Sequence, residues 1–577
     1  MKILCTSTLL LTFCSLLSAQ NNIFFTNAEA AKVVAGDFER DTYVPENAIT
    51  EANLIFEDLV AQISADSLKS YLTELTTFEN RNTGSDTLST TFGIGAARRW
   101  IYQKMDGFSN RLLMSYLQFD QNVCGVGQHR NVMAVLPGTG ELRNEIVLVE
   151  AHMDSRCEDR CGTTCEAHGA DDNGSGTVLV MELARVMSRY AFERTIVFMT
   201  TTGEEQGLVG ATAFASYCDQ NDIDLIAVYN NDIVGGIICG ETASPPGCPG
   251  LNAIDSINVR IYSQGTAVSP HKGLARYLKL QYQENVADQM EVKSVINLMT
   301  PEDRSGRGGD HIPFRQSGYP AIRMTSANEH GNGNPSTDDY HDRQHTSEDR
   351  IGEDTDGDGV LDQFFVDFNY LSRNALINAN AIASTAMSPI PPQKLSLRKG
   401  DDFIVVEIED DLDAPAYKVG IRVLGSNDFD TLYTFTQRID TIRGLPSDIY
   451  QFSAASINED GIESLFTRER QTLFTTNTDE QRKIQPTVEL LQNNPNPFDE
   501  ATVIGIVINH HIPKGKAHIL VHDLQGKEIA RLAVKLKLGI NEVLYDYQYH
   551  NYVPGTYAYS LVIDRKIWAT KRMVYAY

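Results

Sequence analysis

The chain has 577 residues, 42% hydrophobic and 22% charged, with a formal net charge of -27 and a pI near 4.9. That length exceeds what one core can fill and predicts two to four domains of ordinary globular composition. The acidity argues against a nucleic-acid or anionic-membrane binder.

Residues 1–19 carry the marks of a secretory signal peptide: Lys2, an apolar stretch over 3–17, and Ser18-Ala19 before the cut. The stretch is too short and too Ser/Thr-interrupted for a membrane anchor, and no later segment reaches spanning length. Cys14 lacks the small-residue context of a lipoprotein site. Residues 20–53 are weakly patterned and read as a pro-segment or a strap over the next domain. Residues 54–75 predict a helix, 78–85 a turn, 94–105 a second helix and 130–138 a strand and turn.

The centre of the chain carries the chemistry. Residues 146–149 form an apolar run consistent with a buried strand, and His152 and Asp154 follow two apart, so an extended backbone points them to one side. Asp171, Asp172, Asn173 and Gly174 then lead into a predicted helix over 177–188. The strand at 195–199 ends in Glu204 and Glu205, and the strand at 225–231 ends in Asp232. His345 comes later, followed by Thr346 and Asp349. In open α/β sheets, the carboxyl ends of strands are where ligands bind. Two imidazoles and several carboxylates collected there repel one another unless a divalent cation is present, so the pattern predicts a metal site.

These motifs, His-x-Asp, Ala-Asp-Asp-Asn-Gly-Ser-Gly, Gly-Glu-Glu-Gln-Gly, Asn-Asp and His-Thr-x-x-Asp, resemble metallopeptidase family 28 over about residues 54–388. The resemblance implies a mixed, mainly parallel sheet sandwiched by helices, the α/β zinc exopeptidase fold. It implies Asp172 bridging two zinc ions, His152 and Asp232 on one, Glu205 and His345 on the other. Glu204 would be the general base and Asp154 the partner orienting His152, with a cis peptide at Asp172–Asn173. Two zincs about 3.5–4 Å apart would activate a water, and Glu204 would take its proton and deliver one to the leaving amine. His341 rivals His345 as the late ligand; His345 is preferred because it opens the His-Thr-x-x-Asp pattern. His311, in the run Gly308 to Phe314, is placed near the site and not as a ligand.

Seven cysteines follow the predicted signal peptide, an odd number for disulfides in an exported chain. Cys239 and Cys248 are candidates to pair locally. Cys157, Cys161 and Cys165, between the first His and the bridging Asp, suit a disulfide staple better than a zinc knot with His168. Asp354, Asp356, Asp358 and Asp362 are candidate calcium ligands, spaced as in an EF-hand or dockerin loop. Phe365 stands where an EF-hand has Glu. A helix is predicted over 363–383.

After the Pro-rich linker at 388–392 the pattern changes to short alternating runs, 403–408, 417–423, 431–435 and 450–457, predicting a small all-β sandwich over 393–475. Its 450–461 stretch resembles a late strand and turn of a fibronectin type III domain. A polar linker near 475–486 precedes a second small β-sandwich over 487–577. Its Gln-Asn-x-Pro-Asn-Pro-Phe opening and the 521–527 turn resemble the C-terminal sorting domain of type IX secretion cargo. That resemblance implies outer-membrane secretion machinery as a partner and a secreted or cell-surface location.

The expected activity is a zinc aminopeptidase acting on peptides. A carboxypeptidase of the same family is the alternative, with Arg304, Arg307 and Arg323 to hold a terminal carboxylate. A degenerate surface adhesin is the third; the filled ligand set argues against it.

Overall fold

The structure, a computed structural model, describes residues 20–576 apart from 242, 244, 266–268, 305–306, 330, 332, 337–339, 341, 475–487, 499–500, 510–511 and 547–552. The predicted signal peptide, the second linker and His341 lie outside the described residues. Among the described residues no helix is long and apolar enough to cross a membrane.

In chain order the first body contains β1 (Asn21–Phe25), α1 (Ala28–Val34), α2 (Ala52–Gln62), α3 (Ala65–Thr76), α4 (Gly93–Asp106), β2 (Leu113–Val123), β3 (Val126–Leu136), β4 (Ile146–His152), α5 (Gly176–Met187) and β5 (Thr195–Thr201). There follow α6 (Val209–Gln220), β6 (Leu225–Asn231), β7 (Asn258–Tyr262), α7 (Pro270–Asn285), β8 (Val295–Leu298), α8 (His311–Gln316), β9 (Ala321–Ser326) and α9 (Phe368–Met387). The nine strands form one mixed sheet in the order β1-β2-β3-β5-β4-β6-β9-β7-β8. Its centre, β5-β4-β6-β9, is parallel, and β1 to β3 extend it antiparallel.

Alternation along the strands sorts the two faces. Val147, Val149 and Ala151 of β4 pack with α2, α3, α4, α5, α7 and α9 on one side. Ile146 and Leu148 face α1, α6 and α8 on the other. Glu150 and His152 continue that second row, so β4 delivers polar side chains to the α6/α8 face at its carboxyl end. Every residue of β4 and β5 is buried, as expected for strands covered on both faces.

The helix predicted over 54–75 is two helices. Ser64 ends the first and caps the second, its side chain accepting from the Ser67 amide, while its own N–H goes to Glu182. The helix predicted from 363 starts at Phe368, where Asp367 accepts from the Tyr370 amide; Gln363–Phe364 pairs instead with Gly352–Glu353. The segment after residue 20 is built into the sheet. β1 pairs with β2, and Phe25, Ala30, Val33 and Val34 are buried in the α6-side core.

Two β-bodies follow, each a three-stranded sheet against a four-stranded one. In the first, Phe403–Glu409 is the middle of three, and Ala416–Val423 and Asp448–Ile457 are the inner pair of four. Strands Lys394–Lys399, Ile439–Arg443 and Arg470–Phe474 are additional to those predicted. This body docks on α7. Tyr277 donates its hydroxyl to the Glu463 carbonyl at 2.9 Å, and Arg276 meets Glu469 at 3.2 Å. Asn427 donates to the Leu298 carbonyl and to the Thr300 hydroxyl, both at 2.9 Å. The last body meets the second through Ile449, Val507 and Ile540, and through Gln451 bonded to Glu542.

Candidate metal centre

The carboxyl ends of β4, β5 and β6 and the turn before α5 bring the predicted residues together. His152 Nε2 lies 3.2 Å from Asp172 Oδ1 and 3.4 Å from Asp232 Oδ1. His345 Nε2 lies 3.1 Å from Asp172 Oδ2 and 3.3 Å from Glu205 Oε2. Asp172 thus offers one oxygen to each imidazole. The Asp172–Asn173 peptide is cis. His152, Asp172 and Asp232 form one cluster of candidate ligands, and Asp172, Glu205 and His345 another.

The spacing fits metal. Ligand atoms about 2.0–2.1 Å from a tetrahedral zinc stand roughly 3.3 Å from one another, and the four separations above bracket that value. Glu205 Oε1 is buried without a hydrogen-bond partner. The rings are turned correctly as well. His152 Nδ1 is 3.0 Å from the Asp154 carbonyl, and His345 Nδ1 is 2.6 Å from the Gly333 carbonyl. A proton on each Nδ1 leaves the Nε2 lone pair facing the carboxylates.

The electrostatics show how unfavourable this gathering is by itself. Burial pushes the carboxyls of Glu204 and Glu205 well above the usual range, and neighbouring carboxylates, Asp232 and Asp172 among them, add to it. Burial pulls His152 down, but Asp172 and Asp232 outweigh it and hold the ring well above its ordinary value. For Asp172 burial works upward, and the two imidazoles win, holding it well below the carboxylate range. Divalent cations relieve both frustrations at once.

Asp154 does more than face His152. Its carboxylate is 3.7 Å from Nδ1, farther than its own carbonyl. Its oxygens accept the Glu204 and Glu205 amides at 3.3 and 3.4 Å, so it also sets the turn that presents both glutamates. Asp349, the last residue of the His-Thr-x-x-Asp pattern, accepts the Asp171 and Asp172 amides at 2.9 Å each and so fixes the backbone at Asp172. Gln344 donates to Asp172 Oδ2 at 2.8 Å. Arg81, inside a stretch read only as a turn, is fully buried and donates to the Met153, His168 and Gly169 carbonyls. The signal for it was thin: an arginine in a polar turn is ordinarily solvated. His311 is buried and is not a member of either ligand cluster.

A cavity of about 450 Å³ opens onto the centre, lined by Arg156, Arg160, Glu204, Glu205, Asp232, Arg307 and His345, with Leu208 and Ile312. Disulfides Cys124–Cys161 and Cys157–Cys165 staple the loop that forms one side, and Cys239–Cys248 closes locally; Cys218 is left over and buried. The zinc-knot alternative is thereby excluded. Arg304 and Arg307 pair with Glu329, and Arg323 pairs with Asp303 and Glu329 and lies 3.0 Å from Asp232.

In the acidic loop Asp354, Asp356 and Asp362 come together, and Asp358 is not part of that group. Asp354 accepts the Gly357, Asp358 and Gly359 amides, and Asp362 accepts from Thr355. Phe365 turns inward under the Arg343 guanidinium, 3.6 Å from its ring centre, away from the loop.

The parallel strand ends and two imidazole–carboxylate clusters sharing Asp172 make a candidate metal centre of the kind a metallopeptidase uses. Residues 131–360 match the model of peptidase family M28. Over 355 residues the chain is 32% identical to a probable zinc metalloprotease of Leptosphaeria maculans, covering 59% of this chain and 78% of that one. It is also 32% identical over 357 residues to a probable zinc metalloprotease of Pyrenophora teres f. teres, covering 59% and 70%. Among solved structures, the LapA aminopeptidase of Legionella pneumophila aligns at 18% identity and a TM-score of 0.42, over 60% of this chain and 76% of that one. The chain belongs to peptidase family M28 and is a zinc-dependent peptidase, built on a mixed α/β sheet.

Proposed function

We propose that the protein is an exported aminopeptidase that binds two zinc ions and removes N-terminal residues from peptides. His152 and Asp232 would hold one ion, Glu205 and His345 the other, with Asp172 between. When bound, zinc supplies Lewis acidity, lowering the pKa of water and polarising the scissile carbonyl. Glu204, on the cavity wall beside Glu205, takes the proton of the attacking water and returns one to the departing amine. Asp154 and Asp349 hold the glutamate turn and the bridging carboxylate in place.

The observation that carries the N-terminal specificity is the fate of the three arginines. A carboxypeptidase needs a free cation at the closed end of its cleft, and Arg304, Arg307 and Arg323 are each engaged by Glu329 or Asp303. Those three arginines are therefore already engaged, and among the described cavity residues the guanidinium without an ion pair is Arg160, which is exposed and not buried behind the ligand clusters. The test is hydrolysis of Leu-p-nitroanilide against its N-acetyl form by the full-length protein, with zinc measured by plasma emission. Two zincs and cleavage of the free amine alone are expected; cleavage restricted to N-acylated peptides would overturn the N-terminal assignment.

Export rests on the sequence of residues 1–19 and on the last β-body, whose opening resembles a type IX sorting domain. The three-plus-four strand arrangement of the second body suits a fibronectin type III module serving as a spacer. Deleting residues 487–577 and following the protein by cell fractionation tests the export route; unchanged release would refute it. A calcium ion at Asp354, Asp356 and Asp362 belongs to the same proposal, checked by calcium titration followed calorimetrically.

A further inference from the structure

The loop joining β4 to the metal-bridging turn carries two arginines that the hydrolytic chemistry does not use. Each precedes a disulfide cysteine: Arg156 comes before Cys157 and Arg160 before Cys161. The Cys124–Cys161 bond ties this loop to the turn between β2 and β3, and the Arg160 carbonyl accepts from Asn82 and from Gln206, both at 3.0 Å. The side chains are steered as firmly. Arg160 Nε donates to the Glu205 carbonyl at 2.6 Å, and a Cβ built on Gly207 would stand 3.7 Å from its Nη2. Arg156 spends Nε and Nη2 on the Cys157 and Glu158 carbonyls, with Nη1 3.8 Å from Glu205 Oε2.

Both side chains line the cavity over the metal centre. Arg160 forms no ion pair among the described residues, in contrast to Arg307, which also lines the cavity and is paired with Glu329. A guanidinium bonded through Nε keeps both terminal nitrogens for a partner, in the fork geometry that matches a carboxylate. The cavity is thus acidic at its floor and basic at its rim, on the Glu205 side. A surface arginine is ordinarily mobile and solvated; here a disulfide, two backbone acceptor contacts and the Nε bond hold one over a catalytic cleft.

We propose that Arg160, with Arg156 beside it, forms a carboxylate-binding subsite. The preferred substrates are short peptides carrying a carboxylate one residue beyond the scissile bond. The assignment of that side of the cleft rests on the N-terminal specificity proposed above. The carboxylate has two sources, the free α-carboxylate of a dipeptide or an acidic side chain in the second position, and the chemistry at Arg160 is the same for both.

The test uses the full-length zinc-loaded protein and four substrates: Leu-Ala, Leu-Ala-amide, Leu-Glu-amide and Leu-Gln-amide. Two ratios of kcat/KM are read, Leu-Ala over its amide and Leu-Glu-amide over Leu-Gln-amide. At least one ratio should be about tenfold in the wild type, the scale of one charge-assisted hydrogen bond, and which one identifies the source. Arg160→Gln should bring that ratio to within about twofold of unity, mainly through KM, and Arg160→Lys should leave an intermediate ratio. Ratios near one in the wild type, or a wild-type ratio retained in Arg160→Gln, overturn the proposal. If only N-acetylated substrates turn over, the N-terminal assignment falls, and the same ratios on the N-acetylated set still decide the subsite.

Discussion

Replacing Cys124 and Cys161 together by alanine isolates what the longer staple contributes. The bond spans 37 residues, and closing a loop of that length removes about 4 kcal/mol of chain entropy from the unfolded state. The folded loop keeps its other anchors, including Asn82 and Gln206 on the Arg160 carbonyl, so the effect should fall on the unfolded chain. For a catalytic body of roughly 370 residues, about 2.1 cal/mol/K of melting entropy per residue converts that loss into a drop of about 5 °C in Tm. The chain has two tryptophans. Trp100 lies in α4 beside Phe78, and Trp568 is 41% exposed in the last body. A Trp568→Phe background therefore makes fluorescence report the catalytic body alone. The same exchange at Cys157 and Cys165, separated by 8 residues, should cost less, about 3 °C. A shift under about 1 °C for the longer loop, or the reverse order of the two, would refute the loop-entropy account.

Glu204→Gln should keep the metals and lower kcat by at least about a hundredfold; loss of zinc instead would exchange the roles of base and ligand. Glu469→Gln removes the carboxylate that Arg276 and Arg422 share, at 3.2 and 2.6 Å. With both guanidiniums buried, about 3–5 kcal/mol should be lost, read as early release of the second body in limited proteolysis; an unchanged digestion pattern would contradict this. His271 accepts the Ala321 amide at Nδ1 and is pushed down to about 4 by burial, with Arg315 and Lys272 adding. Its folded pKa lies below the ordinary 6.5, so its stabilisation is full above pH 6.5 and drains away as the pH falls toward 4. The midpoint of wild type relative to His271→Gln should decline across that window; a constant difference would be inconsistent with a titrating His271.

The parallel centre and the ligand clusters were legible in the sequence because each signal was local. A buried strand reads as an apolar run, and the residues just past its end define a site when several strands agree. Asp349 and Arg81 act by capping backbone groups brought from distant parts of the chain, and neither residue type nor spacing announces that. The place of the segment after residue 20 was not legible because β1 is a five-residue edge strand, too short for periodicity. Its place is set by pairing with Leu117, Gln118 and Asp120. The break at Ser64 left a cap signal, but continuous apolar positions on both sides masked it. The free arginine over the cavity was invisible for the opposite reason: which cations are neutralised is a property of assembled pairs, as Glu329 shows by engaging three of them.

The docking of the second body on α7 has a consequence for how the enzyme meets its substrates. Residues 388–393 leave little slack between α9 and the next strand, and Ser456 donates its hydroxyl to the Ile390 carbonyl. Asn427 grips the chain at Leu298 and Thr300, a few residues before the segment that supplies Arg307 and Gly308 to the cavity wall. The third body is joined to the second through its own apolar contact. A molecule held at a surface by its last body would therefore carry its cleft at a set bearing, like a lamp on a bracket rather than a float on a line. Reach would then be decided by the thickness of the stacked bodies and not by the sweep of a tether, and peptides would have to diffuse to the cleft.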